Sequence, residues 1–238
     1  MIAFNTGYVY AILGAIAFSG KGILIKLSYL YQVDAMTLIM YRMLFSLPFF
    51  LAMAIYAERR ARRKGLFLKA SDIGGVVALG FIGYYLSSYL DFLGLQYISV
   101  SLERLILYLN PTMVLLLGWI LYKRQVSMKR FMAMAVSYSG VLLVFGFELS
   151  AAGPDVLKGS SLVFLSALTY ACYLVLSERM LKIVDSLRLV GWASTVACLC
   201  CIAQFLLLRP LEAMEVDSAV IGYSVMNALF CTVAPILF

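Results

Sequence analysis

A chain of 238 residues that is 64% hydrophobic and only 13% charged departs from soluble domains, which are about half apolar and about a quarter charged. Its formal net charge of +7 does not point to nucleic acid, because the basic residues cluster between apolar runs and form no patch interleaved with aromatics. Histidine is absent, which removes imidazole acid–base chemistry and histidine-ligated metal together.

The five cysteines (Cys172, Cys198, Cys200, Cys201 and Cys231) all lie in apolar runs without metal-ligand spacing. They read as small buried hydrophobes, so neither a metal nor a cofactor is expected.

A bilayer core takes about 20 apolar residues per helix. Runs of that size predict spans near 7–30, 36–57, 73–95, 99–121, 131–147, 160–177, 187–208 and 219–238. The first carries a stripe of small residues, Gly7, Ala11, Ala15 and Ser19, which lets another helix approach closely. Lys21 lies away from that stripe and, at ~1.5 Å rise per residue, near mid-bilayer. The second holds Arg42 and Pro48. In the third, Tyr84, Ser88 and Asp91 recur at helical spacing and share one face.

The fourth span, read as one continuous helix, sets Glu103 and Asn110 on one face and Arg104, Tyr108 and Pro111 on its neighbour. The sixth aligns Ser166, Tyr170, Tyr173 and Ser177, and the eighth aligns Ser224, Asn227 and Cys231. Against lipid such stripes lack partners. They fit either a watery cavity or hydrogen bonds between helices. The stripes that combine tyrosine with a charge or an amide favour the cavity, which nominates Tyr84, Ser88, Asn110, Tyr170, Tyr173 and Asn227.

Six charges fall inside the spans: Lys21, Lys26, Arg42, Asp91, Glu103 and Arg104. Each costs about 2.5 to 3.5 kcal/mol at a helix centre on insertion scales, so a chain that keeps them uses them. Lys21, the deep one, is expected to contact an anionic ligand, with a structural lysine paired to an acid or carbonyl as the alternative. Arg42, Asp91, Glu103 and Arg104 lie nearer the outer ends of their spans. They are expected to form an ion-paired closure or a coupling site, against the alternative of snorkelling, which suits Lys26 best.

Thirteen of the nineteen basic residues fall in alternate connections, around Glu58–Lys69, Lys123–Arg130 and Arg179–Arg188. The positive-inside rule places those connections, and the N-terminus, in the cytoplasm. The segment Leu13–Phe18 recurs as Leu165–Tyr170, and Asp34 with Tyr41 recurs as Asp185 with Trp192. Five spans per copy is odd, so the second copy inserts with opposite topology. The expected organisation is a first five-helix repeat over 1–150 and an incomplete second repeat of three helices over 158–238. The last run has no polar exit, which gives the expectation that two further helices follow. The alternative is an eight-span protein ending flush with the membrane.

The stretch Gly94-Leu95-Gln96-Tyr97-Ile98-Ser99-Val100-Ser101, then Asn110-Pro111-Thr112 and Tyr122-Lys123-Arg124, resembles the fourth-helix region of EamA-type transporters of the drug/metabolite transporter superfamily. Ile25-Lys26-Leu27, Tyr41-Arg42-Met43 and Ser139-Gly140-Val141-Leu142-Leu143-Val144 extend the resemblance. Lys21 and the Glu103-Arg104 pair stand where many members are neutral. The resemblance implies an all-α polytopic membrane protein, usually ten helices in two inverted five-helix repeats. It implies a carrier and not an enzyme, moving small metabolites across the plasma membrane by alternating access, export before import. Lys21, Arg42 and Arg104 outnumber the two acids Asp91 and Glu103, which turns the expected cargo towards amino-acid-like or organic-anion metabolites. A membrane-embedded enzyme and a non-transporting accessory subunit are the competing classes. The expected partners are a small-molecule substrate and the lipid bilayer, with no nucleic acid, and a homodimer is left open.

Overall fold

A computed structural model describes residues 19–123 and 155–237, with residues 14–16, 127, 128, 132, 134–136, 138 and 139. The fifth expected span, 131–147, lies largely outside the described residues, and so do Gly7 and Ala11.

Among the described residues the regular structure is helical throughout. Helix α1 covers Lys21–Tyr29 and α2 covers Ala35–Arg63. Helix α3 (Ala70–Leu79) runs through a π-helical stretch, Gly80–Leu86, into α4 (Ser87–Leu95). Next come α5 (Val100–Leu107), α6 (Asn110–Tyr122), α7 (Val156–Met180) and α8 (Ser186–Leu208). Helix α9 (Ser218–Ala228) passes through a second π-helical stretch, Leu229–Val233, into α10 (Ala234–Leu237). Joined in this way, six helical runs of the described residues are long and apolar enough to cross a membrane. They coincide with the second, third, fourth, sixth, seventh and eighth expected spans. The chain is an all-α, multi-pass membrane protein.

Short polar side chains fix where the spans begin. Asp34 precedes α2 and accepts from the Met36 backbone N–H at 3.1 Å and the Thr37 hydroxyl at 2.5 Å. Ser99 accepts from Leu102 N–H at 3.1 Å ahead of α5, and Asp217 from Ala219 N–H at 2.7 Å ahead of α9. Each satisfies an amide that the first helical turn leaves without a partner.

The fourth span differs from its expectation of one continuous helix. It breaks at Tyr108 and Leu109, between α5 and α6. Pro111 follows as one of the first residues of α6. There its missing N–H costs nothing, whereas a continuous helix would lose a bond and drive the ring into the Leu107 carbonyl. Faces counted across the break therefore do not carry over from Glu103 to Asn110. Pro48, by contrast, sits inside an unbroken α2.

The helices interlock across the sequence. Helix α2 packs along α8, α7 lies against α4 and α6, and α9 lies against α1 and α2. Small residues set the closest crossings, as membrane packing without a hydrophobic driving force requires. A Cβ on Gly191 would stand 2.9 Å from the Ala54 backbone. A Cβ on Gly94 or on Gly159 would stand 3.0 Å from the other's carbonyl oxygen. One end of the bundle carries the connections 30–35, 95–100 and 208–218 and is lightly charged, while the other is basic. Ile25, Ile39, Phe92 and Leu95 pack together towards the lightly charged end. Large apolar side chains such as Phe49, Tyr56, Phe81, Ile120 and Leu206 face outward, which suits lipid and not water.

Candidate functional site

Between these helices lies a partly open cavity of about 600 Å³. Its wall draws on the middle of the runs: Phe50 from α2, Tyr84 from the first π stretch, Tyr170 from α7, Ser194 from α8 and Cys231 from the second π stretch. The space therefore lies well inside the membrane-spanning layer. Most of its wall is apolar or aromatic, and the charges gather on the side of the lightly charged end.

Those charges form one network. Lys21 Nζ donates to Asp91 Oδ2 at 2.5 Å and lies 3.6 Å from Glu103 Oε1. Arg104 Nε lies 3.2 Å from Glu103 Oε2, and Arg104 Nη2 donates to the Ser19 carbonyl at 3.1 Å. Helices α1, α4 and α5 are thus tied by alternating charges. The tie needs α1 and α5 close together: a Cβ on Gly22 would stand 2.8 Å from a Val100 methyl. Glu103 is 0% exposed and sits behind the wall, not in it.

Arg42 is within the electrostatic reach of Asp91 but, among the described residues, makes no ion pair with that network. It lines the cavity at 8% exposure. One guanidinium nitrogen, Nη2, donates to Ser88 Oγ at 3.4 Å, and the guanidinium carbon is 5.0 Å from the Phe92 ring centroid. Among the described residues its Nε has no hydrogen-bond partner.

Hydroxyl groups knit the remaining wall. Ser166 Oγ donates to the Ser87 carbonyl at 2.8 Å, and Ser87 Oγ reaches the Ser166 carbonyl at 3.2 Å. The Tyr84 and Tyr173 hydroxyls are 3.2 Å apart, with ring centroids 4.9 Å apart.

Of the residues singled out from the sequence, Lys21, Tyr84, Ser88, Asn110 and Tyr170 line the cavity, as do Arg42, Asp91 and Arg104. Tyr173 does not: it is buried behind Tyr84. Asn227 does not either. Its Nδ2 donates to the Lys21 carbonyl at 3.4 Å, beside a small separate pocket. The second π stretch explains the change. Thr232 donates across it to the Asn227 carbonyl at 3.0 Å, and the wider turn brings Cys231 and Thr232 to the cavity.

One further expectation is corrected. A lone deep lysine separate from an outer layer of mixed charge is not what the chain builds, since Lys21 belongs to the same ion network as Asp91, Glu103 and Arg104. The described half of the small-residue stripe, Ala15 and Ser19, borders the cavity.

One ionic site is not among the expectations from sequence. Arg188, at the start of α8, is 3% exposed and holds Glu58 in a bidentate pair, Nε to Oε2 at 2.6 Å and Nη2 to Oε1 at 2.8 Å. It also donates to the Leu66 carbonyl at 3.3 Å. The signal that could find it is Glu58 itself, the lone acid in the run Glu58–Lys64. The pairing of Ser87 with Ser166 is hidden for another reason, because their bonds go to backbone carbonyls of the facing helix.

Comparison with known proteins agrees with this architecture. Residues 5–146 match the EamA-like transporter family, and residues 77–238 match solute carrier family 35. A curated relative, the uncharacterized transporter YcbK of Bacillus subtilis (strain 168), is 27% identical over 192 residues. That alignment takes in 80% of the chain and 60% of YcbK, so the chain spans less than two thirds of its relative's length. No solved structure matches. A polytopic helical bundle around a charged cavity, with both matches covering more than half of the sequence, makes the chain a member of the EamA-like transporter family, within the drug/metabolite transporters.

Proposed function

We propose that the chain is a secondary carrier of the plasma membrane that moves small amino-acid-like or organic-anion metabolites, in the outward direction, by alternating access. The observation that carries this reading is the cavity of about 600 Å³ midway along the spans. That volume suits a small molecule, and carriers bind cargo near the bilayer midplane between their repeats.

The inverted-repeat organisation, over 1–150 and 158–238, is supported by two matching positions. Asp34 stands at the N-cap of α2, and Asp185 stands at the N-cap of α8. A cytoplasmic N-terminus is supported by the basic residues, which gather at one end of the bundle.

Two ionic ties lie towards opposite ends of the bundle. The network of Lys21, Asp91, Glu103 and Arg104 lies towards the lightly charged end, and the Glu58–Arg188 pair closes the basic end. Access from either side then requires that one tie parts while the other holds. Asp91 and Glu103 are the candidates for proton coupling, because carboxylates inside a membrane serve as proton relays.

Purified protein in liposomes loaded with a panel of amino acids and small organic acids tests the reading. Release of some members faster than from empty liposomes, with counterflow by the same compounds, is the expected result. A panel released at the lipid background rate throughout would remove the carrier assignment.

A further inference from the structure

Four of the five charges at the cavity cancel in place. Lys21 and Arg104 are matched by Asp91 and Glu103 through contacts of 2.5 to 3.6 Å. Arg42 is the fifth. Among the described residues no carboxylate lies within ion-pair distance of it, and its Nε is unbonded while its Nη2 makes one long bond to Ser88 at 3.4 Å. The Phe92 face beneath the guanidinium offsets part of the burial. Phe92 supplies no counter-charge, however. A cation that is 8% exposed, unpaired and inside the spanning layer is costly unless something else neutralises it.

We propose that Arg42 is an anion anchor, binding the oxyanion of a small organic monoanion, a carboxylate or a sulfonate. The planar guanidinium fork matches two oxygens of such a group. The apolar body of the ligand then lies against Met43, Phe50, Tyr84 and Tyr170, which share the cavity wall. One uncompensated positive charge takes a singly charged ligand, since a dianion would leave a bare negative charge in the bilayer. Lys21 is not the anchor, because its ammonium is already held by two carboxylates. The assignment deepens the carrier reading and rests on it for transport, although binding at Arg42 stands separately.

Three probes of nearly one shape separate the possibilities: benzenesulfonate, which is ionised at any working pH, neutral benzenesulfonamide and cationic benzylammonium. The readouts are the thermal unfolding midpoint of the purified protein and tracer flux in proteoliposomes. Benzenesulfonate should raise the midpoint of the wild type, and the amide and the amine should not. Arg42→Gln should weaken the sulfonate effect by about tenfold or more, as loss of a charge-assisted pair implies, and Arg42→Lys should recover part of it. Should Arg42→Gln fail to fold, the wild-type ranking and Arg42→Lys still decide. An equal midpoint rise from the sulfonamide, or no rise from the sulfonate, would overturn the anchor. Flux of the amide or amine without the sulfonate would overturn the anchor and keep the carrier. An Arg42-dependent midpoint rise with no flux of any compound would keep the anchor and remove the carrier.

Discussion

Lys21 Nζ and Asp91 Oδ2 stand 2.5 Å apart across 70 positions of sequence, so the first span is ionically tied to the third. With Glu103 at 3.6 Å, the lysine is enclosed by acids on two helices. Its positive charge is spent on the protein's own architecture, and the cavity faces a neutralised pair there.

Removing one partner from such a network should be far worse than removing two. Lys21→Met leaves Asp91 and Glu103 short of a counter-charge and should cost about 3–5 kcal/mol. Lys21→Met combined with Asp91→Asn should recover most of that. Thermal unfolding in nanodiscs checks the comparison, and a single variant as stable as the parent would refute the tie. Lys21→Ala that reaches the membrane and transports with unchanged affinity would mark Lys21 as structural.

The Glu58–Arg188 pair should behave differently from its exposed neighbour. Glu58→Gln strands a guanidinium that is 3% exposed and should destabilise by about 3 kcal/mol. Arg62 also reaches Glu58, at 3.0 Å, but from an exposed position. Arg62→Ala should cost under about 1 kcal/mol, as surface pairs do. Equal effects in an unfolding assay would count against the bidentate geometry.

Two glycines should separate close packing from open space. Gly94→Val places bulk against Gly159 and Val163, and should cost about 1–3 kcal/mol by overpacking. A Cβ on Gly222, in α9, would meet nothing within 4 Å. Gly222→Ala should be neutral or should stabilise by about 0.5–1 kcal/mol, since alanine is the better helix former. Comparable losses at both positions would rule out the assigned crossing of α4 and α7.

Pro111→Ala restores an N–H at the break in the fourth span. The gap between α5 and α6 should close into continuous helix, turning Arg104 relative to Asn110. Stability should be kept or raised while carrier flux falls. Unchanged flux in proteoliposomes would show that the break is not needed.

Much of this is legible in the sequence. The spans follow from run length alone, and Ser88 and Asp91 share a wall because both lie on the α-helical repeat of α4, with Tyr84 beside them in the π stretch. What stays hidden depends on how spans meet. Nothing local links Lys21 to Glu103, or Glu58 to Arg188 across 130 positions. A helical count from Cys231 back to Asn227 fails because it runs through a π turn, and one from Glu103 to Asn110 fails because it crosses the break at Tyr108 and Leu109. Both interruptions change the angle between residues without changing hydropathy, the one quantity that identifies a span.

The two π stretches, Gly80–Leu86 and Leu229–Val233, both border the cavity, through Tyr84 and Cys231. A π turn carries an extra residue relative to α geometry. Passing that surplus residue along the helix swivels everything beyond it by about 100°, the angle of one residue in 3.6. Each step of the swivel keeps the amides bonded inside the helix, as lipid demands. In the third and eighth spans that surplus residue lies beside the cavity. A π turn moved along the third span would turn Ser88 and Asp91 relative to the cavity while the helix stays wound.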